Sequence, residues 1–274
     1  MMEPIQTLHL FEPLEQKLIE LLKSLSPTDW NKSTVAKLWT VKDVAAHLLD
    51  TSIRTIAESK NFIGDPPAPI NSYHELVDYL NRLNTDWVKA MRRVSPETLI
   101  DFLKLTQKPF IEYYHSLDQL SPAKFSVAWA GEQESKNWFH IAREYTERWH
   151  HQQQIRDAVG KPGIMDREFF FPMIDTLLSA MPYAYRESSP KEGTIVQVKI
   201  LGTAGGEWRI QKQSLGWEFT SASGEITSTI ELDTDTAWKL FTKVFTKHEA
   251  ETKVKISGNR ELALPLLGMV SVMG

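Results

Sequence analysis

The chain shows two hydrophobic periodicities in succession. Over roughly its first 160 residues, apolar positions recur at three- and four-residue spacing, as amphipathic helices require. Leu8, Leu10, Leu14, Leu18, Leu21 and Leu22 form such a stripe within residues 5–24, and Ser26-Pro27 ends it. Thr40 and Asp43 have capping-box spacing and open a second helix through Val44, Ala45, Leu48, Leu49 and Ile53 to about Lys60. Gly64-Asp65-Pro66-Pro67-Ala68-Pro69 reads as a stiff loop. Ser72 with Glu75 opens a helix from Tyr73 to about Val94, and Ser95-Pro96-Glu97 opens another to about Leu117. After a loop containing Pro122, Trp129 and Gly131, a long helix runs from about Ser135 to Val159, with Gly160 at its C′ position and Pro162 behind it. Long helices joined by modest connections predict an up-down bundle.

Beyond Gly163 the pattern changes. One more helix is expected from about Glu168 to Tyr185. Alternation of period two then predicts strands at Thr194–Leu201, Glu207–Gln213, Gly216–Thr220 and Glu225–Leu232, separated by Gly205-Gly206, Leu215-Gly216 and Ser223-Gly224. A helix from Thr234 to about Phe245, a strand at Thr252–Ser257 and a final helix from Asn259 to about Val270 complete the pattern. The fold class is therefore α+β in two domains, a helix bundle over 1–163 and a small α+β domain over 164–274.

Composition narrows the function. The 274 residues carry 31 Lys and Arg against 35 Asp and Glu, a net charge of −4 with no basic block, which disfavours nucleic acid as a partner. No stretch approaches the roughly 20 apolar residues of a membrane span, and Met1-Met2-Glu3-Pro4 lacks the features of a signal peptide, so a cytoplasmic location is expected. The chain has no cysteine. Thiolate metal ligands and a protein-borne thiol nucleophile are excluded; any thiol chemistry needs a thiol from outside.

The segment His140–Ile155 carries the candidate chemistry. His140, Glu144, Glu147 and His151 fall within a sector of roughly 60° on a helical wheel, beside the core-facing Ile141, Tyr145 and Trp149. Glu147 and His151 are four residues apart, so a carboxylate and an imidazole can share one cation without straining the helix. A catalytic zinc site needs about three protein ligands. His47, in the middle of the second helix between Ala45-Ala46 and Leu48-Leu49, is the best third, and Asp50, Thr51 and Arg54 continue its polar face. Against this, a core histidine is often merely hydrogen-bonded, and the stripe of His140, Glu144 and Glu147 also fits an exposed charged face. His150 lies about 100° from His151 and is left out of the set. His9, His74, His115 and His248 have no partner at ligand spacing.

Two strings carry a family resemblance. Leu38-Trp39-Thr40-Val41-Lys42-Asp43-Val44-Ala45-Ala46-His47-Leu48-Leu49 resembles the first signature of the DinB-like metal-binding bundles. Glu147-Arg148-Trp149-His150-His151-Gln152-Gln153-Gln154-Ile155 resembles the second, in the E-x-x-x-H form of the mycothiol-dependent maleylpyruvate isomerase branch. Trp129-Ala130-Gly131 and Ala158-Val159-Gly160-Lys161-Pro162 fit that branch. The runs Leu232–Leu240, Val254–Asn259 and Leu262–Leu267 are similar to the sterol carrier protein-like domain attached to those isomerases.

The resemblance implies His47, Glu147 and His151 as ligands of a divalent metal, zinc first, with nickel, iron or manganese not distinguished. It implies a low-molecular-weight thiol, mycothiol or a relative, activated as thiolate on the metal, and isomerase or S-transferase chemistry on a small anionic or electrophilic substrate. For an anionic substrate, Arg54, Arg143 and Arg148 lie on the metal-bearing helices, and Lys239 and Lys243 lie in the second domain; the pattern does not place a matching second-domain arginine, and lysine binds a carboxylate only as a point charge. Two further readings stay open. One is a metal-dependent hydrolase with Glu144 as general base. The other is a non-enzymatic binding module around Trp208, Trp217 and Phe219. Both a monomer and a homodimer are compatible with the sequence.

Overall fold

The computed structural model describes residues 3–62, 72–269 and 271. The expected loop at 64–69 and the end of the expected last helix at Val270 lie outside them. The elements run in chain order as α1 (Phe11–Lys23), α2 (Val41–Ser59), α3 (Tyr73–Met91), α4 (Pro96–Ser116), α5 (Asn137–Val159), α6 (Arg167–Leu178), α7 (Met181–Ala184), β1 (Ile195–Ile200), β2 (Gly206–Lys212), β3 (Trp217–Phe219), β4 (Ile226–Leu232), α8 (Thr234–Phe241), α9 (Lys247–Glu251), β5 (Lys255–Gly258) and α10 (Leu264–Leu267). The chain is thus α+β, helical first and sheet-bearing second.

The residues cluster into two compact units. Among the described residues, a helical unit comprises Thr7–Gln119 and Glu147–Gly163, and a sheet unit comprises residues 3–6, Leu120–Thr146 and the residues from Ile164 to Met269 with Ser271. The helix α5 contributes its first half to one and its second half to the other.

In the helical unit the core is built by Leu18 and Leu22 of α1, Val44, Ala45, Leu48 and Leu49 of α2, Leu99 and Leu103 of α4, and Ile155 of α5, all buried. Helix starts follow local chemistry. Thr40 Oγ1 accepts from the Asp43 backbone N–H at 3.3 Å while Asp43 Oδ2 accepts from the Thr40 N–H at 3.1 Å, closing a capping box at the head of α2. Ser72 and Ser95 cap α3 and α4 through the backbone N–H groups of Glu75 and Thr98. At the far end of α5, Gly160 takes φ 68°, the left-handed conformation that lets the Lys161 N–H return to the Arg156 carbonyl at 3.0 Å.

In the sheet unit the strand order is β3-β2-β1-β4-β5. The central pair β1–β4 is parallel, with Val198 opposite Ile230, and all other pairs are antiparallel. Val196, Val198, Ile210, Ile230 and Leu232 are buried. Trp208 and Trp217 are buried as well, and each indole N–H is satisfied, by Asp175 Oδ1 at 2.7 Å and the Ser188 carbonyl at 3.1 Å. They serve as core anchors.

Three expectations change in this half. The helix expected over 168–185 is two, α6 and α7, because Pro182 in the first turn of α7 cannot continue a helix from before it. The helix expected to reach Phe245 stops at Phe241, where Lys243 adopts φ 64° and Thr246 with Glu249 caps the short α9. The helix expected from Asn259 is only α10, with Pro265 in its first turn. Among the described residues, no helix is long and apolar enough to cross a membrane.

Candidate metal centre

Burial of the flanking Val44, Ala45, Leu48 and Leu49 carries His47 into the helical unit, where it is 6% exposed. Its ring packs on Trp39, with centroids 4.8 Å apart, and meets His151 edge-on at 4.6 Å. His47 Nδ1 is buried and has no hydrogen-bond partner among the described residues. Burial first, then the nearby His151, Arg54, His150 and Arg148, push the His47 pKa well below its usual range, which favours the neutral ring. A neutral imidazole is the form that ligates metals.

The facing groups come from one turn of α5. Glu147 Oε2 lies 3.6 Å from His151 Nε2 and 4.0 Å from His150 Nε2. His151 Nδ1 lies 3.0 Å from Gln154 Oε1. An amide oxygen there accepts a hydrogen bond from Nδ1–H, and that tautomer would free His151 Nε2, on the Glu147 side, for a cation. Glu147, His150 and His151 each offer a donor atom within 4.8 Å of the others. Two ligands about 2.0–2.1 Å from one tetrahedral ion lie about 3.4 Å apart, so the Glu147–His151 spacing is near that of a shared cation. One carboxylate, several imidazoles and an orphaned buried nitrogen form a donor set that fits zinc or a similar divalent ion.

His150, set apart from His151 on the helical wheel, joins the cluster in the structure. An angular separation of 100° from His151 was expected to keep the two apart, yet their ring centroids are 3.9 Å apart. The reason is helical. Residues three and four positions along both neighbour the same residue one turn back, so both imidazoles converge on Glu147. The signal was present in the sequence as Glu147 at i, His150 at i+3 and His151 at i+4.

Arg148 was expected to face a substrate; instead it is 2% exposed. Its Nε donates to Glu15 Oε1 at 2.6 Å, and its Nη1 donates to the Leu48 carbonyl at 2.7 Å, Ser52 Oγ at 3.1 Å and Thr51 Oγ1 at 3.2 Å. The guanidinium also lies 4.7 Å from the Phe110 ring centroid. These partners hold α5 to α1 and α2, and the contact to the Leu48 carbonyl falls on the residue after His47. Arg54 pairs with Asp50 at 2.9 Å and donates to Asn84 Oδ1 at 3.1 Å, while its Nε is buried without a hydrogen-bond partner among the described residues. Burial raises the Asp50 pKa against the pull of Arg54.

The remaining candidates lie in the sheet unit. Glu144 and His140 are buried, so the stripe that carries them is not an exposed charged face. His140 Nδ1 lies 2.8 Å from Arg143 Nη2, and burial with that neighbouring cation lowers its pKa to about 3. Lys239 pairs with Asp235 at 2.9 Å and lies 5.3 Å from the Trp238 ring centroid. Lys243 occupies the left-handed residue after α8.

The comparisons with known proteins agree with this architecture. The profile described as "Mycothiol maleylpyruvate isomerase N-terminal domain" matches residues 11–156, more than half of the chain. The chain belongs to that family. The matched span holds the cluster of Glu147, His150 and His151 together with His47, whose ring packs against His151. Over the whole chain, the crystal structure of the mycothiol-dependent maleylpyruvate isomerase superposes with a TM-score of 0.56 at 9% identity, covering 93% of each chain, and a histidine-to-alanine mutant of that enzyme gives the same figures. At that identity the likeness concerns the fold alone. A sterol carrier protein 2-like protein from Aedes aegypti matches 35% of this family member and 95% of its own chain at 17% identity, with a TM-score of 0.27, too low to bear on the fold. No curated protein sequence matches this chain.

Proposed function

We propose that this chain is a metal- and thiol-dependent isomerase or S-transferase, with His47, Glu147 and His151 as the metal ligands and zinc as the first choice of ion. The observation that supports this reading is a buried His47, its Nδ1 without a hydrogen-bond partner among the described residues, packed against His151 of a Glu147/His151 pair at ligand spacing. Family membership supplies the thiol: mycothiol or a similar low-molecular-weight thiol. The chain's lack of cysteine agrees with a thiol from outside. A bound divalent cation supplies Lewis acidity that favours thiolate over thiol near neutral pH. The reaction class is reversible addition of that thiol across a conjugated double bond: a C–S bond forms and the electron pair moves to the conjugated carbonyl. After rotation the C–S bond breaks and the double bond returns with inverted geometry. If the adduct is protonated and released, the outcome is S-transfer.

The chain's own residues divide the remaining work. Glu147 supplies negative charge that offsets the cation, and Gln154 fixes the His151 tautomer. Trp39 covers the His47 ring. Arg148, committed to Glu15 and the α2 backbone, holds the two ligand-bearing helices in register rather than touching substrate. Arg54, beside Asp50 on the helix that carries His47, is the guanidinium we assign to an anionic group of thiol or substrate. Glu144 enters only if the enzyme is a hydrolase. The division into domains at 163/164 and a cytosolic location, where thiols stay reduced, belong to the same reading.

The test is turnover of a cis-configured, conjugated dicarboxylate by metal-loaded protein with and without added thiol. Activity that needs both metal and thiol supports the reading. Metal-dependent hydrolysis without thiol favours the hydrolase. A protein that binds no metal after reconstitution overturns both.

A further inference from the structure

The proposed ligand set leaves one buried imidazole of the cluster without an assigned task. His150 is 4% exposed, its Nε2 stands 4.0 Å from Glu147 Oε2, and its donor atom lies within 4.8 Å of those of Glu147 and His151. Its ring centroid is 3.9 Å from that of His151. Resting on the metal reading above, we propose that His150 is a fourth, displaceable protein ligand, so that the resting site is closed by protein and the incoming thiol takes the place of His150.

The geometry also says which ligand gives way. Glu147 Oε2 lies nearer to His151 than to His150, and His151 is tied through Nδ1 to Gln154. A tetrahedral site with four protein ligands has no open position, whereas catalytic zinc sites keep one. A labile fourth histidine reconciles a sealed resting state with thiol access. It would hold the ion firmly in the absence of thiol and open one position when thiol is present.

The experiment uses the full chain, stripped of metal and titrated with Co2+, whose visible spectrum reports coordination number, and then with 2-mercaptoethanol. Wild type is expected to bind one Co2+ per chain with the intense absorption of a four-coordinate site. His150→Gln and His150→Leu, checked for native circular dichroism, are expected to bind one Co2+ about tenfold more weakly, with a weaker, shifted spectrum as solvent enters. In both variants the sulfur-to-cobalt charge-transfer band should develop at a lower thiol concentration than in wild type, because no imidazole need be displaced. Unchanged affinity, spectrum and thiol response in both variants, with cobalt still lost in His47→Ala, would overturn the role of His150 and leave the three-ligand site standing. Failure of wild type itself to bind Co2+ would overturn the metal reading and this inference together.

Discussion

Two buried polar clusters share α2 and α5, and they differ in how their atoms are satisfied. In one, Arg148 spends its donors on Glu15, the Leu48 carbonyl, Thr51 and Ser52, every partner supplied by the protein. In the other, His47 Nδ1 has no hydrogen-bond partner among the described residues, and Glu147, His150 and His151 crowd together at spacings suited to a shared cation. Buried polar groups are almost always paired, so a network closed within the protein is structural, whereas a buried ring nitrogen with no partner among the described residues, set beside a carboxylate and two imidazoles, suits a ligand. The contrast makes burial alone a poor guide to function here: Arg148 and His47 are both buried, and only the accounting of partners separates them.

The comparison breaks most visibly at Arg148. Arg148→Met removes one member of a buried ion pair and strands Glu15, which is expected to destabilise the helical unit by about 3–5 kcal/mol. Denaturant unfolding of the metal-free protein measures it. Adding Glu15→Gln should recover part of the loss, because the stranded charge is removed. A loss below about 1 kcal/mol would mean that the network is not the structural clamp described.

His47→Ala should do the reverse. In chelator it is expected to cost clearly less stability than Arg148→Met, since no stranded charge is created. Metal affinity should fall about 100-fold, at or above the upper end of what outer-shell partners alone cost. Metal per chain after dialysis against a competing chelator is the measurement, and wild-type retention would remove His47 from the site.

These two clusters also show what can be read from the sequence. His47 and the Glu147/His151 pair stand out because each depends on local spacing within one helix, and so do the Thr40/Asp43 cap, Gly160 and the strand alternation around Val198 and Ile230. Arg148 was misjudged because its decisive partner, Glu15, is 133 residues away and no periodicity connects them. His150 was missed because a wheel projects Cβ directions and ignores that side chains at i+3 and i+4 both lean back over residue i. Proline gave mixed guidance. Pro182 and Pro265 reset helices, while Pro109 and Pro172 lie inside α4 and α6 without ending them. Whether one missing hydrogen bond ends a helix depends on the packing of its face, and that is set by tertiary structure.

A smaller effect sharpens the open cluster. Gln154→Ala leaves every proposed ligand in place and removes only the group that fixes His151. Metal affinity is expected to fall about tenfold with little change in unfolding midpoint. An equal loss of stability and affinity would assign Gln154 to packing instead.

The smallest expected effect concerns a third polar cluster, closed like that of Arg148, at the head of the helix that carries His47. Asp43 accepts from Thr40 and pairs with Arg92 at 3.1 Å. Burial raises its pKa, but Arg92 and the Thr40 hydrogen bonds outweigh it, and the net shift is downward. A carboxyl whose folded pKa lies below its unfolded value adds stability above the unfolded pKa, about 3.9, and loses it as pH falls through the folded value. Thr40→Ala should cost about 1 kcal/mol at neutral pH through loss of the cap. Asp43→Asn should lower stability at neutral pH and flatten its decline below about pH 4, because the variant has no proton to take up there. Unfolding curves from pH 7 to pH 3 for wild type and Asp43→Asn decide the point. Parallel curves would mean that the Asp43 charge adds nothing and that the cap acts through its hydrogen bonds alone. Convergence toward low pH would show that the same accounting of partners which marks Arg148 as structural also holds at the start of α2.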